Sequence, residues 1–152
     1  MVIKNVFEER TVEELIARIN TLSPDTKPLW GKMDVAKMLA HLNVMYEFVY
    51  DNNHPRPGAF QRFIISMLAK KTVVGDKPYP RNIRTAPAFL IRNERDFAKE
   101  KERLINYIRR TRDQGEKFFD GKESHSFGPL TLKEWNTLFY KHLDHHLSQF
   151  GV

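Results

Sequence analysis

Residues 131–152 read TLKEWNTLFYKHLDHHLSQFGV, and three of the six histidines in this 152-residue chain fall between positions 142 and 146. Thr131 followed by Glu134 is a capping box, in which the hydroxyl and the carboxylate each satisfy a backbone N–H of the first turn. The spacing predicts a helix from Thr131 to about Phe150. Taking about 100° per residue, Trp135, Leu138, Phe139, Leu143 and Phe150 share an arc of roughly 140° that must face a core. His142 and His146 lie inside that arc, and His145 lies beyond its edge.

The same reading applies to DVAKMLAHLNVMYEFVY, residues 34–50. Asp34 is the expected N-cap of a helix reaching about Tyr50, with Met38, Leu42, Met45, Phe48 and Val49 as its apolar stripe and His41 among them. One inward histidine is ordinarily a core residue whose ring is hydrogen-bonded. Three on inward faces are different, because each nitrogen needs its own buried partner, whereas one divalent cation takes a nitrogen from every ring. Histidines at i and i+4 stand one above the other about 6 Å apart, close enough to reach one ion from a single helix. His41, His142 and His146 are therefore the candidate metal ligands.

Around these two segments the chain reads as helix separated by long loops. Thr11 to Glu14 resembles another capping box, so a first helix is expected from Thr11 to about Leu22. A short accessory helix is expected at about Ala59 to Lys71, followed by a proline-rich crossover. A charged amphipathic helix from Asn93 should stop at Gly115, and residues 116–129 read as loop. Residues 1–152 are thus expected to form one domain, all-α, a four-helix bundle with one short accessory helix.

The net charge of +6 and a pI near 9.6 would suit an anionic partner. The cations are nevertheless scattered among acids and helix ends, which disfavours nucleic acid. No run approaches the roughly 18 apolar residues of a membrane span, so no membrane partner is expected. There are no cysteines and the N-terminus lacks a secretory core, which fits a cytoplasmic protein; any thiol must come from a bound small molecule.

WGKMDVAKMLAHLNVMYEFV, with His41, and LFYKHLDHHLSQFG, with His142, His146 and Gln149, resemble the two ends of the DinB-like metal-binding superfamily. The ending is most similar to a branch known only as a domain of unknown function. The resemblance implies a bundle whose two middle helices run parallel across a long crossover. It also implies a divalent metal held by His41, His142 and His146. Characterised members include transferases and isomerases that use low-molecular-weight thiols, so the resemblance implies a small-molecule substrate and a metal-dependent transferase. Leu147 stands where many relatives carry an arginine, and the resemblance does not extend to one particular activity. A homodimer is the expected assembly.

Three imidazoles leave a coordination position open for water, a thiolate or a carbonyl. Zinc, nickel and iron all accept such ligands. No catalytic acid or base is evident: Asp144 points outward on the wheel, and the direction of Glu47 is ambiguous. Trp30 and Trp135 are candidate substrate-binding residues lining a pocket above the metal, although a buried tryptophan is ordinarily core. His54 and His125 fall in Pro- or Gly-containing loops and are expected in solvent or at a pocket mouth. The alternatives to an enzyme are a non-catalytic, metal-bound or stress-related bundle that binds a ligand or partner and, with less support, a basic nucleic-acid binder.

Overall fold

Thr131 caps the last helix as its spacing predicts: its hydroxyl accepts from the Glu134 N–H, and the Glu134 carboxylate accepts from the Thr131 N–H at 2.9 Å. A computed structural model of the chain describes residues 2–51, 53–83 and 85–152. These form six α-helices: α1 (Glu9–Thr21), α2 (Val35–Tyr50), α3 (Ala59–Val74), α4 (Phe97–Gln114), α5 (Glu116–Phe119) and α6 (Leu132–Gln149). A 3₁₀ turn, Pro87–Phe89, interrupts the crossover, and a two-stranded hairpin, β1 (Glu123–Ser124) with β2 (Gly128–Pro129), precedes α6. The protein is mostly helical, with that hairpin as the only sheet among the described residues.

The caps account for most of the boundaries. Asp34 accepts from the Lys37 N–H and Asp96 from the Lys99 N–H, which start α2 and α4. The fourth helix therefore begins at Phe97, four residues after its expected start, because Asp96 supplies the cap. It ends at Gly115, where a φ of +72° is the left-handed conformation glycine tolerates. The expected cap at Thr11 is incorrect. The first helix begins at Glu9, Thr11 is buried within it, and the Glu14 carboxylate turns to Lys4 and Arg10 instead of the helix start.

Four helices supply the core: Leu15 and Ile19 from α1, Met38 and Leu42 from α2, Leu104 and Ile108 from α4, Phe139 and Leu143 from α6. Phe119 of α5 closes one end against Trp135 and Phe139. The stretch expected to be loop, residues 116–129, thus contributes α5 and the hairpin. The helix at Ala59 is not short either: it runs 16 residues to Val74, and none of its residues is buried. Its C-terminus is held by Lys141, whose ammonium donates to the carbonyls of Thr72, Gly75 and Lys77. A cation at free helix carbonyls satisfies acceptors that would otherwise lack partners.

Candidate metal centre

His41 projects from the middle of α2, and His142 and His146 from successive turns of α6. All three are at least nine-tenths buried. One ligand nitrogen from each lies within 4.8 Å of the others. The ring centroids are 4.9 Å apart for His41 and His142, 4.5 Å for His41 and His146, and 5.0 Å for His142 and His146.

Neighbouring groups set the tautomers of two of these rings. The carbonyl of Phe89 can only accept, so His41 donates its Nδ1–H to it at 2.9 Å and keeps a lone pair on Nε2. Gln149 donates its amide to the Trp30 carbonyl at 2.8 Å, which turns its Oε1 to accept the Nδ1–H of His146 at 2.8 Å. His146 Nε2 is therefore also a lone pair. This fixing of the ring by an outer hydrogen bond is the usual support of a metal-ligating histidine.

His142 completes the set. Its Nε2 lies 2.9 Å from His41 Nε2, an approach of two nitrogens that a proton or a cation must bridge. If His142 supplies that proton, its Nδ1 keeps a buried lone pair with no partner among the described residues. Such an orphan is costly. Two imidazoles with fixed lone pairs and a third ring nitrogen within 4.8 Å of them are a donor set that could hold one divalent cation.

Burial holds the rings neutral, the form a metal binds. It pulls the pKa of His142 well below the ordinary histidine value, with His41 and His146 nearby adding to the effect. Burial, with His41 beside it, lowers His146 to about 3 against the opposing effect of the hydrogen bond it donates to Gln149. His41 is lowered by burial too.

The cluster forms the floor of a cavity of about 800 Å³, walled by Trp30, Tyr79 and Phe89. Trp30 lies on this wall, with the Arg81 guanidinium 4.3 Å from its ring centre. His145 is half-buried and meets Trp30 and Tyr79 edge-on, so it lines the cavity outside the cluster. Trp135 does not reach this cavity. Its ring stacks on Phe139, its indole N–H donates to the Lys122 carbonyl, and it borders a separate apolar cavity of about 1060 Å³. His54 and His125 lie on that second cavity, where His54 pairs with Glu47 and His125 stacks on Phe48. Asp144 pairs with Arg18 away from the site, as its outward position predicts. Glu47 is held by Arg103 and His54.

Several participants have no strong signal in the sequence. A main-chain carbonyl such as that of Phe89 carries none. Gly31 has a φ of +82°, and a Cβ there would meet Gln149 Nε2 at 2.7 Å, so a glycine next to Trp30 is required for the bond that orients Gln149. Leu147 is fully buried, and an arginine would not fit at this position without rearrangement.

The fold and site together define a mostly helical protein with three inward imidazoles that lie close enough to hold a metal ion. Residues 6–151 match the family described as a protein of unknown function, DUF1569, and the chain belongs to that family. No curated protein and no solved structure matches it. Among the described residues no helix is long and apolar enough to cross a membrane.

Proposed function

We propose that this is a metal-dependent enzyme of DinB-like type acting on a small molecule, with one divalent metal ligated by His41, His142 and His146. The observation that supports it most is the pair of outer hydrogen bonds, His41 to the Phe89 carbonyl and His146 to the Gln149 amide oxygen, which leave both Nε2 lone pairs free for a cation. A core drawn from α1, α2, α4 and α6, with no buried residue from α3, supports reading residues 1–152 as one DinB-like bundle domain.

A bound zinc, nickel or ferrous ion supplies Lewis acidity with a coordination position left open. The chain supplies the rest. His41 and His146 hold fixed lone pairs, Phe89 and Gln149 keep them from rotating, and Trp30, Tyr79 and Phe89 wall a space that shelters a substrate from water. With no cysteine in the chain, a nucleophilic sulfur would have to arrive with the substrate, which suits a transferase using a low-molecular-weight thiol. A non-catalytic metal-bound ligand carrier is the second reading. It is favoured by the cavity lining, which includes no carboxylate to act as general base.

Metal analysis of protein purified without a nickel column, followed by crystallography, tests the ligand set: one ion per chain with three nitrogens at about 2.0–2.3 Å is expected. Incubation with thiols and electrophiles then tests catalysis. Turnover that is absent from His41→Ala supports the enzyme. Turnover that persists there removes metal-centred chemistry.

A further inference from the structure

The mouth of the histidine cavity differs in charge from its surroundings. Lys32, Lys37 and Arg92 line it, Arg81 lies over Trp30 at its wall, and none of the chain's 19 acidic residues contributes to the lining. Lys37 is partly neutralised by Asp34, 2.9 Å away. Lys32 and Arg92 are exposed and form no ion pair among the described residues. The adjoining smaller cavity provides a contrast. It also borders Arg92 and has Arg95 and Arg103, but Glu47 lies in it and pairs with Arg103, while Glu100 pairs with both Arg95 and Arg103. Cations grouped without counter-charges at a concave mouth focus a positive potential into it.

The rest of the lining includes the less exposed Tyr79, Phe89 and Ile91 beside the imidazoles. A volume of about 800 Å³ is in the range of small-molecule sites and too small to seat a nucleic-acid duplex.

We propose that this cavity selects a small organic anion. A carboxylate or phosphate head is held at the mouth by Lys32 and Arg92, an apolar body lies against Trp30, Tyr79 and Phe89, and the far end faces the three histidines. The proposal rests on the cavity being the substrate site and adds the substrate's chemical class. It explains the lack of acidic residues in the lining, since a single carboxylate there would cancel the attraction. Lys32 and Arg92 are thus specificity residues that need not touch the reacting atoms.

The test uses metal-stripped full-length protein, so that an anion cannot bind simply by ligating the ion. Calorimetric titration compares naphthoate, naphthyl phosphate and the neutral naphthamide at low salt. Both anions are expected to bind about tenfold or more tightly than the amide, and high salt is expected to erode the difference. The ratio between the two anions identifies the preferred head. Lys32→Glu combined with Arg92→Glu should abolish the preference, while Lys117→Glu, a charge change on α5, should leave it unchanged. Both mouth residues are exposed, so folding is not at stake, and circular dichroism verifies this. Equal binding of acid and amide, or a preference that survives the double variant, overturns the proposal. So does salt-dependent DNA binding that the double variant abolishes when neither naphthyl anion binds. The metal content of His142→Ala is measured separately, so failure of the metal assignment is distinguishable from failure of the anion site.

Discussion

His41, His142 and His146 descend from α2 and α6 into one cavity, whereas His54 and His125 stand in the chain on either side of the other, with Phe89 forming a wall of both. The first three are buried, their Nδ1 atoms are tied outward or left without a partner, and their remaining nitrogens converge. The other two are satisfied locally: His54 by Glu47, and His125 by Ser126, the Pro55 carbonyl and the face of Phe48. Rigid helices at a fixed separation can aim several rings at one point, while a loop histidine takes whichever partner lies nearest. The same residue type thus forms a candidate site in one place and a pocket rim in the other.

The largest expected effect would break this contrast if it failed. His142→Ala or His146→Ala should lose nearly all bound metal, and His54→Ala or His125→Ala essentially none, read as metal per chain by elemental analysis. Equal losses in the two groups would erase the distinction between the cavities.

The two tryptophans sharpen it next. Trp135→Ala should cost about 3–5 kcal/mol of stability by urea denaturation, because it empties a packed site beside Phe119 and Phe139. Trp30→Ala should cost about 1 kcal/mol or less and act mainly on ligands of the histidine cavity. A reversed order would move the substrate wall to the other side of Phe89.

Acidification should destabilise the metal-stripped protein through the convergent cluster. The folded pKa of His146 is about 3 and those of His41 and His142 are lowered. The unfolded chain therefore binds protons first, near pH 6.5, and stability present above that pH is lost as the pH falls toward the folded values. Each strongly lowered ring contributes up to about 2 kcal/mol of loss between pH 6.5 and pH 5. His146→Gln should flatten the fall in urea midpoint, and a fall left equally steep would remove the cluster as its source.

Gly31→Ala should have a smaller effect, about 1–2 kcal/mol, since the new Cβ opposes both the positive φ and Gln149. It should also weaken metal affinity by loosening His146. Smallest of all, His145→Ala should keep its metal, because His145 lines the cavity without belonging to the cluster.

Amino-acid order by itself determined the elements that local chemistry controls. Asp34, Thr131 and Gly115 mark helix ends because capping is settled within three or four residues, and the inward faces of α2 and α6 follow from the helical repeat, so the three clustered histidines were legible. Thr11 misled because its capping pattern is just as local, while the burial of α1 against α4 and α6 extends the helix past it. Tertiary structure alone decided which groups support the site. The Phe89 carbonyl reaches His41 across 48 positions and Gln149 reaches Trp30 across 119. Lys141, off the buried arc of its own helix, is fully buried because α3 ends over it. Helical periodicity reports one helix's faces and says nothing of what packs against them, so the arrangement of partners around the histidines, and the charge at their cavity's mouth, arises only when distant segments fold together.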